Sequence, residues 1–242
     1  MRFNPYKKIE KWKANVDTAI AIKKIMSTGI EDHHFLQNLF ELSEALSGIE
    51  RGKKQFEWLI ADKTMSGLYE EMWRPDPIDL VKLSKLPEGS LGKIFADNLL
   101  SEGFDPKELT EIDPYPIKNF KEYALHRSWE THDIAHTLCG FNVDALGEIA
   151  LQAFMFSNCR QPMHLAIIFG GLFKGSALDP TQFHVLSDAI TYGLELGNKC
   201  SSIIFSKKFE EGWRRPISEW REELNLPQTY REAFYMRKTD YV

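Results

Sequence analysis

The stretch His132-Asp133-Ile134-Ala135-His136, followed by Glu148 twelve residues after the second histidine, organises this chain. In a helix, residues four apart lie on one face, about 40° apart around the axis, so both histidines would point the same way. Glu148 cannot lie beside them on one straight helix, because it would be roughly 18 Å further along the axis. Gly140 can end a first helix and Asn142 can cap a second. The sequence therefore predicts two antiparallel helices that return Glu148 to the histidines.

Two imidazoles and two carboxylates that converge on one point form a metal-ligand set. The candidate ligands are His132, Asp133, His136 and Glu148. Such a mixed set suits zinc, manganese or ferrous iron, and magnesium less well. The pattern differs from the zincin motif His-Glu-x-x-His, in which the glutamate is the general base, because here the shorter Asp133 follows the first histidine and no peptide-cleft strand is visible. The sequence predicts one divalent metal ion and does not choose among these elements.

Each of these residues also has a structural interpretation. Asp133 could pair with Arg127 or cap a neighbouring helix, and Glu148 could be a buried acid paired with an arginine. The metal site is favoured because Glu148 lies in an otherwise apolar segment, residues 146–150, where a carboxylate needs a partner. Arg127 and Glu130 precede the motif by less than two turns. They could face the metal site or simply pair with each other.

Apolar residues at helical spacing predict helices over residues 6–27, 34–48 and 181–199. The expected buried stripe of the first is Ile9, Trp12, Val16 and Ile20, and that of the last is Phe183, Leu186, Ile190 and Leu194. Ser90 is a predicted N-cap of a helix through Leu100, and the proline-containing segment 103–116 is predicted to be an extended connection. Residues 143–158 and 163–173 are apolar enough to be buried. Alternating β patterns are absent, so the prediction is one all-α domain over 1–242, with a buried central helix pair carrying the site.

Composition narrows the class of protein. The chain has 242 residues, 43% of them hydrophobic and 27% charged, which is typical of a soluble globular protein. A net charge of −5 argues against a nucleic-acid partner. Three widely spaced cysteines favour a reducing compartment, and the N-terminus lacks an apolar signal core, so a cytoplasmic location is expected. No apolar run reaches the length of a membrane span, although the basic residues around helix 6–27 leave open an amphipathic helix on a membrane surface.

The motif of His132, Asp133, His136 and Glu148 resembles the signature of the coenzyme Q (ubiquinone) biosynthesis protein 4 family. That signature is His-Asp-x-x-His, then eleven residues, then Glu. Arg127 and Glu130 match its basic and acidic positions before the motif. Similar segments are 86–92, 146–150, Pro162-Met163 and 221–224, and the resemblance covers roughly residues 60–226. Trp129 stands where many members have arginine, and 158–161 depart from the usual pattern. The mitochondrial targeting extension of eukaryotic members is missing, which suggests a bacterial-type member.

The resemblance implies an all-helical fold and a divalent metal, usually called zinc, held by the four residues of the signature. It also implies peripheral membrane association, at the inner face of the membrane for a bacterial-type protein, and a role in building the ubiquinone head group on a polyprenyl tail. Family members are linked to oxidative decarboxylation of the ring and to organising the other quinone-biosynthesis proteins. Helices rich in phenylalanine and tryptophan are compatible with a homodimer.

Two hypotheses follow from this resemblance. In the first, the chain is a metal-dependent enzyme acting on a prenylated aromatic carboxylate, with Glu130 and Arg127 in catalytic roles. In the second, it is a scaffold that binds an isoprenoid lipid without chemistry. Either one needs an apolar tunnel for the tail, lined in this prediction by Phe154, Met155, Phe156, Met163, Ile167 and Phe169. The alternative is that these six residues belong to the ordinary hydrophobic core. A metal phosphohydrolase is disfavoured, because its additional histidine and aspartate ligands have no clear counterparts.

Overall fold

A computed structural model describes residues 5–27, 50–104, 117–178 and 183–229, together with residues 38, 41, 42, 45 and 181. Within these residues the chain is all-α, as predicted, and contains no strand. The helices are α1 (Pro5–Ser27), α2 (Glu50–Ala61), α3 (Lys63–Glu70), α4 (Leu80–Leu83), α5 (Leu91–Ser101), α6 (Phe120–Glu130), α7 (His132–Cys139), α8 (Ala145–Cys159), α9 (Pro162–Leu178), α10 (Phe183–Lys199) and α11 (Ile217–Glu223), with 3₁₀ turns at Ile204–Ser206 and Phe209–Gly212. The predicted helix 34–48 and the predicted connection 103–116 fall largely outside the described residues.

Helix capping sets the bounds of the helices around the site. Ser90 caps α5 as predicted, with its side chain accepting from the Lys93 amide. Thr131 ends α6 and begins α7, so the two helices are separated by this one residue. Gly140 ends α7 in the left-handed conformation, with φ of 72°, as its position predicted.

The predicted cap of α8 was wrong. Asp144, and not Asn142, accepts hydrogen bonds from the amides of Leu146 and Gly147. Asn142 lies in the turn before the helix, and its carbonyl oxygen is so close to Gly147 that a Cβ there would lie 1.8 Å from it. The turn is therefore folded against the first turn of α8, and only glycine allows that approach.

α8 is the central helix, and its most extensive contact is with α10. The predicted buried face of α10 is only partly confirmed. Leu186 and Ile190 are partly buried against the apolar core, but Phe183 is 54% exposed. The fully buried residues are instead Val185, Ala189, Tyr192 and Leu196. The reason is the closeness of the two helices. Gly193 lies against the Ala150 carbonyl and Gly197 against the Phe154 carbonyl, at distances that would leave a Cβ 2.1 and 2.3 Å from those oxygens.

Buried apolar residues form two clusters. The larger joins α2 to α8, α10 and α11, and the smaller packs α1 against α6 and α9 through Ala21, Leu125 and Met163. The predicted stripe of α1 is wrong at Ile20, which is 52% exposed, whereas the next residue, Ala21, is buried. Ala21 is a small residue, so a pattern of large apolar residues did not indicate its place in the smaller cluster.

Buried Arg221 of α11 holds the end of α7. Its Nε donates to the Leu138 carbonyl at 3.1 Å and its Nη2 to the Thr137 carbonyl at 3.2 Å. Carbonyls in the last turn of a helix have no partner within the helix. A residue more than eighty positions away therefore stabilises the C-terminal end of the helix that carries both histidines.

Candidate metal centre

α7 and α8 bring three potential ligands together. One ligand atom each from His132, His136 and Glu148 lie within 4.8 Å of one another. His136 Nε2 is 2.9 Å from Glu148 Oε1, and His132 Nε2 is 3.4 Å from Glu148 Oε2. The two imidazole rings are 4.9 Å apart between centroids. The predicted return of Glu148 to the two histidines is thus present in the fold.

The outer nitrogen of each ring has its own acceptor. His132 Nδ1 donates to Asp133 Oδ1 at 3.0 Å, and His136 Nδ1 donates to the Phe141 carbonyl at 3.2 Å. These bonds direct both Nε2 atoms toward Glu148. Histidines that bind metals commonly donate the other ring N–H to a carboxylate or a backbone carbonyl in this way. The three donors and their supports therefore fit a divalent ion.

The electrostatics of the three residues are coupled. Burial lowers the pKa of His132, but its hydrogen bonds to Asp133 and Glu148 outweigh that effect and raise the pKa to about 10. Burial raises the pKa of Glu148, but hydrogen bonds from His132 and His136 bring it well below its usual range. In the metal-free protein, the proton on the His132 imidazole thus balances the charge of the Glu148 carboxylate. A bound cation would take the place of that proton.

Asp133, the fourth predicted ligand, does not belong to the group of three. Its Oδ1 contacts His132 Nδ1, on the side of the ring away from Glu148. Its role as a direct ligand stays a prediction. Above the site, the Trp129 ring stacks at 6.0 Å from the His132 ring and is partly exposed, so the site lies near the surface on this side.

Arg127 and Glu130 belong to a buried ion cluster next to the site. Arg127 Nη1 contacts Glu130 Oε2 at 2.8 Å and Glu210 Oε1 at 3.0 Å, and its Nη2 donates to the Lys207 carbonyl. The other oxygen of Glu130 accepts from Arg74 Nε at 2.7 Å. The catalytic roles of Arg127 and Glu130 stay predictions. Their contacts support a structural role, since both terminal nitrogens of Arg127 and both carboxylate oxygens of Glu130 bond to protein partners.

The six residues predicted to line a lipid tunnel lie in three environments. Phe154 and Met155 are fully buried in the larger apolar cluster, while Met163 and Ile167 belong to the smaller one. Phe156 is half-buried, and Phe169, expected to be buried, is 62% exposed on α9. A tail-binding role for the six stays a prediction.

One polar pair near the site was missed from the sequence. His164 of α9 donates from Nδ1 to Gln152 Oε1 of α8 at 2.7 Å, and both side chains are buried. The available signal was the position of Gln152, which is four residues after Glu148 and so lies on the same face of α8.

None of the described helices has both the length and the hydrophobicity needed to cross a bilayer.

The class of protein is thus all-helical, with a candidate metal centre on two adjacent central helices. The family model that matches is "Coenzyme Q (ubiquinone) biosynthesis protein Coq4", over residues 72–229. This chain belongs to that family, which confirms the resemblance seen in its sequence.

Similar proteins include the mitochondrial ubiquinone biosynthesis COQ4 homologues of Rattus norvegicus, 31% identical over 152 residues, and of Homo sapiens, 30% identical over 152 residues. Each of these matches covers 62% of this chain and 55% of the relative, so the chain spans about half the length of these curated relatives. The fold is similar to the crystal structure of a candidate ubiquinone biosynthesis protein from Nostoc punctiforme, with a TM-score of 0.74 and 26% identity. That match covers 87% of this chain and 97% of the other.

Proposed function

We propose that this chain is a metal-dependent enzyme of ubiquinone biosynthesis that binds a prenylated aromatic carboxylate and catalyses oxidative decarboxylation of its ring. The observation that supports this most directly is the convergence of His132 Nε2, His136 Nε2 and the Glu148 carboxylate in a member of the ubiquinone biosynthesis family. Fold and family membership alone do not define chemistry. The proposal therefore depends on this site.

His132, His136 and Glu148 would hold the metal, and Asp133 and the Phe141 carbonyl would keep the two rings in place. Three protein ligands leave one position of a tetrahedral ion open, as in catalytic zinc sites. Zinc suits this set best, and iron, manganese and magnesium are the alternatives. When bound, the ion would act as a Lewis acid toward the oxygens of the substrate.

The remaining residues would orient and shield the head group. We assign Arg127 and Glu130 to positioning, because their ion cluster fixes the end of α6 immediately before His132. Trp129 would cover the outer side of the His132 ring. Residues of α9 would contact the tail, since Met163 and Ile167 lie in the smaller cluster while Phe169 is exposed and available to a lipid surface. Contact with the membrane and with other quinone-biosynthesis proteins is part of this proposal.

The first test is the metal content of purified protein. We expect about one equivalent in the wild type and less than about a tenth of that in His136→Ala and Glu148→Gln, because each variant removes one of only three donors. The matched control is His184→Ala on the exposed surface of α10, which should keep its metal. Elemental analysis by mass spectrometry gives both the amount and the element. A wild type without metal, prepared without chelators, would contradict the proposal.

The second test separates the enzyme from the scaffold. The metal-loaded protein is incubated with prenylated 4-hydroxybenzoate and dioxygen, and release of carbon dioxide is measured. The enzyme is expected to release it, and Glu148→Gln is not. Binding of the compound without turnover would instead support the isoprenoid-binding scaffold that organises the pathway.

Asp133→Asn distinguishes a direct ligand from a support. Because Asp133 contacts His132 Nδ1, we expect this variant to retain metal with affinity weakened by roughly 10- to 100-fold, as for other groups that hydrogen-bond to metal-binding histidines. Competition with a chromophoric chelator measures the affinity. A loss as complete as that of Glu148→Gln would show that Asp133 itself binds the metal.

A further inference from the structure

His164 is a buried histidine with an unsatisfied ring nitrogen. Only 3% of the residue is exposed. Nδ1 is bonded to Gln152 Oε1 at 2.7 Å, but Nε2 is buried and has no hydrogen-bond partner among the described residues. A buried polar atom without a partner is costly, so such an atom in a native structure calls for an explanation.

The position of His164 links it to the metal centre. Gln152, its partner, is one helical turn after Glu148 on α8, so the two side chains project from the same face of that helix. His164 is on α9, which packs on α8. Burial of the imidazole lowers the pKa of His164 to about 3. The bond to Gln152 thus holds His164 beside the face of α8 that carries Glu148.

The chemistry of His164 determines what it can bind. The ring is neutral, and the amide oxygen of Gln152 can only accept, so the proton is on Nδ1. Nε2 therefore presents a lone pair and needs a donor. A carboxylate cannot provide one. A phenolic hydroxyl can.

We propose that His164 Nε2 accepts a hydrogen bond from a ring hydroxyl of the aromatic head group whose carboxylate is held at the metal, with Gln152 fixing the orientation of the imidazole. This inference rests on the proposed function and adds to it the residue that recognises the ring hydroxyl of the substrate. His164 is then a specificity residue, because an analogue without the hydroxyl would leave Nε2 buried and unpaired.

The test is a comparison of two ligands. One is 4-hydroxybenzoate carrying a single dimethylallyl chain, and the other is the same compound without its hydroxyl. Their binding to zinc-loaded protein is measured by calorimetry. We expect wild type to prefer the hydroxylated ligand by roughly 10- to 100-fold. His164→Leu should lose this preference and keep its metal, because His164 is not among the three donors. His184→Leu is the matched control and should keep both.

Gln152→Leu provides a second variant. It leaves His164 in place but frees the imidazole to turn, so the preference should fall while the metal is retained. If His164→Leu does not fold, the same comparison of the two ligands is made with Gln152→Leu.

Equal binding of the two ligands to metal-loaded wild type would overturn this inference and leave the proposed function standing. A preference that survives in His164→Leu would also overturn it, since a water or another residue would then be the partner. A wild type that holds no metal would overturn the proposed function, and this inference with it.

Discussion

Arg127→Met is expected to reduce the free energy of unfolding by about 3–5 kcal/mol, the range for removing one partner of a buried ion pair. Arg127 is fully buried, and its guanidinium lies 4.7 Å from the Trp73 ring. Without it, Glu130 keeps Arg74, but the almost fully buried Glu210 loses its contacts with the guanidinium. An uncompensated carboxylate in the interior is the main source of the penalty. Denaturant unfolding followed by circular dichroism measures it.

Two controls identify that source. Lys199→Met breaks an exposed pair with Glu195 and should cost less than about 1 kcal/mol. Adding Glu210→Gln to Arg127→Met should recover part of the loss, because it removes the unpaired charge.

The loss of stability in Arg127→Met should also depend on pH. Burial already raises the pKa of Glu210 above its ordinary value, although Arg127 opposes this. A carboxyl whose pKa is raised in the folded state makes the protein less stable as pH rises through that pKa. The loss of unfolding free energy in Arg127→Met should therefore be larger near about pH 8 than near about pH 5. A deficit that does not change with pH would contradict the role given to Glu210.

Gly193→Ala is expected to destabilise the protein by about 1–3 kcal/mol, the usual cost of overpacking, despite the better helix propensity of alanine. The new Cβ would lie 2.1 Å from the Ala150 carbonyl oxygen and 2.9 Å from the Ala153 Cβ. To relieve the clash, α8 and α10 would have to move apart by roughly 1 Å. Because α8 carries Glu148, metal affinity should fall as well. Thermal unfolding and chelator competition measure the two effects.

Gly67→Ala is the matched control. Gly67 lies within α3, and a Cβ there would meet nothing within 4 Å. The same substitution should therefore be neutral or stabilise by up to about 1 kcal/mol. If both variants behave alike, the close approach of α8 and α10 does not matter for stability.

Much of the site could be predicted from the sequence because its determinants are local. The four-residue spacing of His132 and His136 is a property of any helix, and Gly140 adopts the left-handed conformation that its position indicated. The cap of α8 could not be predicted in the same way. Asn142 and Asp144 both suit an N-cap, and the choice depends on the contact between Asn142 and Gly147.

The remaining errors come from contacts between distant segments. Large apolar residues indicated a face of α10 on which Leu186 and Ile190 are only partly buried, because the fully buried face uses Gly193 and Gly197 to approach α8. The partner of Arg127, Glu210, lies 83 residues away in sequence. Likewise, nothing in the local sequence of Gln152 indicates that His164 binds it. Such pairings arise only when the helices pack.

The position of Arg221 at the end of α7 links retention of the metal to the folding of the C-terminal region. α7 has eight residues, too few to be a stable helix by itself, and its last carbonyls depend on a side chain from α11. Cleavage or unfolding of the segment after residue 216 would therefore release the end of α7 and loosen His136. Metal content would then report whether the C-terminal region is intact, although none of the described residues 217–229 is a hydrogen-bond partner of the three donors.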